Sequence, residues 1–298
     1  MLPEPLRTLL RTLRSRRNLR VLRQAAAEAD AFLISFPKCG RTWLRFALSS
    51  YFASALRLPL EPDLQTTFRL LPNFDRDPER GIPAFRYAEQ RPALPLVLVS
   101  HRSYDRSLIQ DRPVIFLVRD PRDVAVSAYF HATRHKHRFT GTIADFIEDD
   151  AQGIGSYLAY LNGWADGLEN GPRHVTSYER MSADPAGELR RVVSFLHRPV
   201  DEDALRQAVE RSSFGAMRSK EQDTGIPGHS YDRGDGESLR MRRGKAGGYV
   251  DYLSPQDITR VEDRCRRELT PAARALLSDY AFMAPADAPQ AGQALAEL

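Results

Sequence analysis

Short apolar segments separated by polar stretches predict the strands of a buried sheet. Residues 31–34, 96–99 and 114–118 are continuous apolar runs, without the alternation that a half-exposed strand shows. Residues 174–178 predict a further, shorter strand, and helix-forming segments lie at 43–56, 155–167, 185–196, 205–209 and 255–269. Strands that alternate with helices predict an α/β domain with a central, mainly parallel sheet and helices on both faces.

The segments outside this pattern divide the chain. Residues 1–30 are predicted to form a basic amphipathic helical extension, because leucines at helical spacing lie among arginines. Such a helix can make a peripheral contact with an anionic membrane, but we favour a helix that packs its leucines on the domain. Residues 31–283 form a single domain, in which glycine and polar residues predict a mobile loop at 219–237. The Ala- and Pro-rich tail 284–298 is predicted to be disordered.

Composition agrees with a soluble globular protein. The 298 residues are 42% hydrophobic and 28% charged, and the net charge of +4 suits an anionic ligand without identifying one. The two cysteines form no disulfide pattern, which predicts a cytoplasmic location. No apolar run approaches the roughly 20 residues of a membrane span, and no signal peptide is visible.

The loop after the first strand has the features of a phosphate site. Pro37 ends the strand because proline cannot donate to a sheet. Lys38, Gly40, Arg41 and Thr42 follow, just before a predicted helix. Free backbone N–H groups and the positive end of the helix dipole would converge there with the charges of Lys38 and Arg41. The loop is not a Walker A motif, which places its lysine after two glycines, since Lys38 precedes the only glycine.

Polar residues also follow the second and third predicted strands. His101 comes after residues 96–99, and Arg119 comes directly after residues 114–118. Pro121 suits the first turn of the next helix, and Asp123 suits its N-terminal end. Because ligands of open α/β sheets bind at the carboxyl ends of the strands, we expect Lys38, His101 and Arg119 to share one site.

These motifs resemble, in order, those of the cytosolic-type sulfotransferases, which use 3′-phosphoadenosine 5′-phosphosulfate (PAPS). Pro37-Lys38-Cys39-Gly40-Arg41-Thr42-Trp43 resembles the family's 5′-phosphosulfate loop, and the run from Val118 to Tyr129 resembles its 3′-phosphate motif. His101 occupies the place of the family's catalytic base. Further matches are Ser177-Tyr178-Glu179, Ser212-Ser213-Phe214 with Met217, and Arg242-Arg243-Gly244. The chain is identified as a member of this family, of a bacterial-like kind, with a P-loop-like fold.

The resemblance implies roles for the matching residues. His101 would remove the proton of the acceptor hydroxyl, Lys38 would meet the charge on the leaving oxygen, and Ser127 is the third catalytic residue. Trp43 and Phe214 would sandwich the adenine. The implied donor-binding residues are Lys38, Cys39, Gly40, Arg41, Thr42, Trp43, Arg119, Ser127, Tyr178, Ser212, Phe214, Met217, Arg242, Arg243 and Gly244. The acceptor is a hydroxyl of a small molecule, a carbohydrate or a lipid, and no metal or nucleic acid is expected.

Several positions depart from the family's pattern. Cys39 and Arg41 replace small hydroxyl residues of the phosphosulfate loop, and Gly248-Tyr249 stands where the family often has Asp-Trp. The family's short C-terminal dimer motif is not recognisable, so the sequence does not determine the oligomeric state. The residues considered without the resemblance also allow two other functions. One is an ATP- and Mg²⁺-dependent kinase on a related sheet, and the other is a module that binds polyanions or nucleic acid.

Overall fold

The computed structural model describes residues 18–91, 93–169, 171–226 and 231–280. Within the predicted N-terminal extension, residues 18–28 form a helix, α1, which buries Leu22, Ala25 and Ala26 in the main core. This part of the extension therefore packs on the domain. Residues 1–17, where the leucine and arginine pattern is strongest, and the predicted disordered tail 284–298 lie outside the described residues.

The central sheet has four parallel strands. They are β1 (Ala31–Ser35), β2 (Val97–Ser100), β3 (Val114–Val118) and β4 (Arg173–Ser177), in the order β2-β1-β3-β4. Phe32 of β1 lies opposite Leu98 of β2 and Val114 of β3. The first three strands are buried along their whole length, which explains their continuous apolar sequence. The predicted α/β class with a mainly parallel sheet is confirmed.

Helices cover this sheet and connect its strands. Their bounds are α2 (Arg41–Ala55), α3 (Arg106–Ile109), α4 (Pro121–Phe130), α5 (Ile143–Glu148), α6 (Ile154–Leu168), α7 (Tyr178–Ala183), α8 (Pro185–Phe195), α9 (Glu202–Arg211), α10 (Phe214–Thr224), α11 (Pro255–Glu268) and α12 (Pro271–Tyr280). A π-helical turn, His131–His135, continues α4, and short 3₁₀ turns lie at Thr66–Arg69, Ile82–Ala84, Ala88–Gln90 and Gly248–Asp251.

Local signals set several of these boundaries. Pro121 occupies the first turn of α4 as predicted, and the Asp120 side chain caps that helix by accepting from the Arg122 N–H. Asp184 caps α8 in the same way. Tyr178, which the sequence placed at the end of the fourth strand, is instead the first residue of α7.

The prediction of a loop over 219–237 is wrong for its first residues, 219–224, which are helical. Helix α10 extends to Thr224, because two of its side chains, Met217 and Glu221, are buried on its inner side. The polar sequence suggested a loop, but burial of one helix face against the rest of the domain stabilises the helix.

Candidate active site

The phosphate loop, residues 36–40, joins β1 to α2 through two residues with positive φ. Lys38 and Gly40 both have positive φ, 75° and 96°. Gly40 is the N-cap of α2, and no side chain forms a capping hydrogen bond there, whereas Thr142 and Ser254 cap α5 and α11 with theirs. An uncapped N-terminus leaves backbone N–H groups and the positive helix dipole for an anion.

Tyr178 closes one side of the phosphate loop. A Cβ atom at Gly40 would lie 2.7 Å from Cδ2 of Tyr178, so both the contact and the positive φ require glycine. The Trp43 ring meets Tyr178 edge to face, with centroids 5.5 Å apart. The Arg119 guanidinium lies over the same ring, 4.0 Å from its centroid. Tyr178 thus holds the loop, the start of α2 and Arg119 together.

His101, after β2, has a defined tautomer. Its Nδ1 lies 2.6 Å from the backbone carbonyl oxygen of Ser35. Because a carbonyl can only accept, Nδ1 carries the proton, and Nε2 keeps a lone pair. Burial, with the charge of Arg41 next in importance, holds the pKa of His101 well below its usual value. The imidazole is therefore neutral at pH 7 and able to take up a proton.

Lys38 is the second group in the cavity whose pKa is shifted from its usual value. Burial lowers its pKa to about 7, with a further contribution from the nearby charge of Arg240. The carboxylate of Glu221 acts in the opposite direction. An anion bound at the phosphate loop would restore the charged form of Lys38, since opposite charges favour each other's ionised state.

Arg119 connects the end of β3 to the phosphate loop and to α4. Its Nη1 donates to the carbonyl oxygen of Lys38 at 3.1 Å, and its Nη2 lies 3.4 Å from Oδ2 of Asp123. The Tyr157 hydroxyl accepts from the Arg119 N–H and donates to the Arg119 carbonyl, at 3.2 and 2.8 Å. The buried Nε of Arg119 has no hydrogen-bond partner among the described residues. This nitrogen is a donor that a bound anion could satisfy.

The closing segment, residues 240–244, lines the same cavity as the phosphate loop. The Arg242 guanidinium packs against the rings of both Phe130 and Tyr252, 4.4 and 4.5 Å from their centroids. Gly244 has a φ of 63°, and a Cβ there would overlap the Phe214 ring at 2.1 Å. Phe214 is 40% exposed although it is large and apolar. An exposed ring at a charged cavity suits stacking against a flat heterocycle.

Two side chains of helix α10 hold the closing segment through hydrogen bonds to the backbone of that segment. The buried Glu221 carboxylate accepts from the N–H groups of Arg240 and Met241, each at 2.8 Å, and from the Tyr231 hydroxyl at 2.6 Å. One turn earlier, Arg218 donates to the carbonyl oxygens of Met241 and Arg242, at 2.6 and 2.7 Å. We call Arg218 and Glu221 the α10 clamp.

The structure brings the predicted site residues into one cavity at the carboxyl ends of the strands. The space between its walls, open solvent at the mouth included, is about 1060 Å³. Every predicted site residue except Cys39 lines it. The Cys39 thiol is buried in the core instead, and burial raises its pKa to about 12. Cys39 therefore contributes only its backbone to the phosphate loop.

Five lining residues were not among the predicted site residues. They are Asp123, Arg240, Met241, Lys245 and Gly248. Asp123 accepts from the N–H groups of Gly247 and Tyr249, each at 2.9 Å, so that it ties α4 to the chain after the closing segment. Arg240 to Lys245 form one basic run, and that run was the available sequence signal for Arg240 and Lys245.

Neither a metal cluster nor a membrane helix is found in the described part of the chain. No three His, Cys, Asp or Glu side chains are grouped so that they could hold a metal ion there. The same residues include no helix long and apolar enough to cross a membrane.

A parallel sheet whose strand ends gather a phosphate loop, a neutral histidine and several cations defines a group-transfer enzyme for a phosphorylated donor. Residues 28–273 match the sequence model of the sulfotransferase domain family. The chain therefore belongs to the sulfotransferase family. This confirms the predicted family, fold and enzyme class, a PAPS-dependent sulfotransferase.

Characterised relatives cover most of this chain. It is 27% identical to mouse sulfotransferase 2B1 over 238 residues, 76% of this chain and 67% of the relative. It is also 27% identical to cytosolic sulfotransferase 17 of Arabidopsis thaliana over 265 residues, 78% of this chain and 72% of the relative. Human sulfotransferase 2B1 is matched over 63% of its length. The chain thus spans about two thirds of the length of the 2B1 relatives.

Solved structures share the fold. Mouse sulfotransferase 7A1, in complex with 3′-phosphoadenosine 5′-phosphate (PAP), superposes with a TM-score of 0.59 at 22% identity, over 87% of this chain and 94% of that one. Retinol dehydratase, in complex with retinol and PAP, superposes with a TM-score of 0.58 at 20% identity, over 87% and 84%.

Proposed function

We propose that this protein transfers the sulfuryl group of PAPS to an acceptor hydroxyl, with His101 as the general base. The observation that carries the proposal is the 2.6 Å contact between His101 Nδ1 and the Ser35 carbonyl oxygen. That contact leaves the Nε2 lone pair for the acceptor proton, in a cavity that His101 shares with Lys38. The two PAP-bound structures of the same fold support PAPS as the donor.

The donor's anionic groups have two places to bind. The phosphate loop, with Lys38 and the uncapped start of α2, suits the 5′-phosphosulfate. Arg119, Ser127 and Arg242 line the same cavity and suit the 3′-phosphate. Trp43 and Phe214 also line it and would flank the adenine, with Trp43 packed edge to face on Tyr178.

The chemical step follows from these positions. The acceptor oxygen forms a bond to sulfur while the bond between sulfur and the bridging oxygen of PAPS breaks. The acceptor proton moves to Nε2 of His101, and the electron pair of the broken bond stays on the phosphate oxygen of PAP. Lys38 in its charged form stabilises that oxygen, as preorganised cations do in related phosphoryl transfers. The protein otherwise positions the two reactants.

Calorimetric titration tests the donor site. We expect PAP to bind without metal, and Arg119→Ala to lower its affinity by about 10-fold or more, because that arginine makes charge-assisted hydrogen bonds. Arg206→Ala is the matched control, since that exposed arginine on α9 pairs with Asp203 and does not line the cavity. A preference for ATP with Mg²⁺ would indicate the kinase instead. Binding of neither nucleotide, with affinity for polyanions, would indicate the binding module.

The role of His101 has its own test. We expect His101→Ala to retain PAP binding and to lose sulfuryl transfer by about 10²- to 10⁴-fold, the range for general base catalysis. An unchanged rate in that variant would remove His101 from the mechanism.

Three expectations from the sequence stay predictions. They are the domain limits at 31 and 283, the membrane contact of the N-terminal extension and the cytoplasmic location.

A further inference from the structure

A single hydroxyl group on helix α6 bonds both backbone groups of Arg119. The Tyr157 hydroxyl accepts from the Arg119 N–H at 3.2 Å and donates to the Arg119 carbonyl oxygen at 2.8 Å. Tyr157 is only 1% exposed, and burial raises the pKa of its phenol well above the usual value. The hydroxyl therefore keeps its proton and can act as donor and acceptor at the same time.

The position of Arg119 in the chain explains why its backbone needs such a partner. The pairing of β3 with β1 ends at Leu117, and its pairing with β4 ends at Val118. Helix α4 begins only at Pro121. Arg119 thus lies between a strand and a helix, and it forms no backbone-to-backbone hydrogen bond with a described residue. Buried backbone groups need partners, and the Tyr157 hydroxyl supplies both.

The Arg119 guanidinium contacts three parts of the site. It donates from Nη1 to the Lys38 carbonyl oxygen of the phosphate loop, pairs through Nη2 with Asp123 of α4, and lies 4.0 Å from the centroid of the Tyr178 ring. These contacts leave its buried Nε without a hydrogen-bond partner among the described residues. The direction in which Nε can donate therefore depends on where the Arg119 backbone is held.

Tyr157 is well placed to hold that backbone. Its ring packs on Phe36, the first residue of the phosphate loop, with centroids 4.9 Å apart. The side chain of Tyr157 thus contacts the residue after β1 and the residue after β3 together. Because a buried ring within a 15-residue helix has little freedom, the two strand ends keep a fixed separation.

We propose that Tyr157 is a positioning residue of the donor site, whose hydroxyl holds the Arg119 backbone so that the guanidinium is directed at the 3′-phosphate of the donor. Tyr157 does not line the cavity, so it acts through Arg119 and does not touch the donor. This inference rests on the proposed sulfuryl transfer from PAPS and adds a residue to the donor site of that reaction.

Helix α6 offers a matched control three residues further along. Tyr160 is also buried, and its ring also packs on Phe36, with centroids 5.4 Å apart. Its hydroxyl forms no hydrogen bond with Arg119 or with any other described residue that lines the cavity. Tyr157→Phe and Tyr160→Phe each remove one oxygen atom from a buried ring, and only the first takes a partner away from Arg119.

Calorimetric titration with PAP compares the two variants. We expect Tyr157→Phe to lower PAP affinity about 10-fold, because two hydrogen bonds to the Arg119 backbone are lost, and Tyr160→Phe to change it less than about twofold. The binding stoichiometry should match that of the wild type in both variants, because each ring still fills its place. A lower stoichiometry at unchanged affinity in Tyr157→Phe would indicate general damage to the fold and would overturn the proposal.

A double variant tests whether Tyr157 acts through Arg119. If the hydroxyl only positions that arginine, adding Tyr157→Phe to Arg119→Ala should lower PAP affinity by less than about twofold further. Independent roles would add in full, so a further loss of about 10-fold in the double variant would overturn the proposal.

The same titrations separate this inference from the proposed function. If the wild type does not bind PAP, or if Arg119→Ala binds it equally well, the donor assignment fails and this inference with it. The inference alone fails if Arg119→Ala weakens PAP binding but Tyr157→Phe does not. A Tyr157→Phe protein that does not fold would make the hydroxyl a requirement of the whole domain, and this result would overturn the inference as well.

Discussion

Removal of the Glu221 carboxylate should disable the donor site without touching a donor-binding side chain. Glu221 is completely buried, and it accepts the backbone N–H groups of Arg240 and Met241 and the hydroxyl of Tyr231. In Glu221→Ala these three donors lose their acceptor. The closing segment then opens, and PAP must reorder it on binding.

The magnitude follows from the hydrogen bonds lost. A hydrogen bond to a charged group contributes about 1.5–3 kcal/mol, so the two backbone bonds together contribute about 3–6 kcal/mol. Removing a negative charge from a cationic site acts in the opposite direction, by about 1–2 kcal/mol for each bound unit charge about 10 Å away at the effective dielectric near a protein surface. We expect the loss of the hydrogen bonds to outweigh this gain and PAP affinity to fall by about 10²-fold.

Calorimetric titration with PAP measures this effect, with two companion variants. Glu221→Gln keeps one acceptor oxygen and should lose about 10-fold. Glu202→Ala is the matched control, since this exposed glutamate pairs with Arg190 at the surface and its loss should leave PAP affinity unchanged. Tighter PAP binding in both Glu221 variants would refute the reasoning, because charge alone would then govern the site.

Three further predictions concern the phosphate loop and the base. Gly40→Ala would be strained at a φ of 96° and in contact with Tyr178, so it should weaken PAP binding at least about 10-fold in the same titration. Gly163→Ala in α6 is the control, because a Cβ there meets nothing within 4 Å. That variant should add about 0.5–1 kcal/mol to the free energy of unfolding measured by denaturation. Because the pKa of Lys38 is about 7 in the free protein and rises beside an anion, PAP binding above pH 7 should take up a proton and weaken as pH increases. Titration in buffers of different ionisation enthalpy detects that proton, and its absence would contradict the assignment. Because the pKa of His101 lies well below 6.5, kcat/KM should not fall between pH 8 and pH 6, and a decline with a midpoint near 6.5 would contradict the neutral imidazole.

The sequence was sufficient for the sheet and for most of the residues that line the cavity. Buried parallel strands need continuous apolar runs, so the strand segments 31–34, 96–99 and 114–118 could be recognised in the sequence itself. Turn and cap residues such as Pro121 acted locally, within one or two residues of the boundary that they set. Lys38, His101 and Arg119 follow strand ends, where an open α/β sheet places its ligand whatever the details of packing.

Only the tertiary structure decided where side chains point and which distant segments meet. Cys39 faces the core although its neighbours Lys38 and Gly40, which both have positive φ, line the cavity. The bonds from Asp123 to Gly247 and Tyr249 join positions 124 and 126 residues apart. The α10 clamp likewise depends on a helix that its polar sequence did not predict. Periodicity and propensity act over a few residues, whereas these contacts exist only once the whole chain has packed.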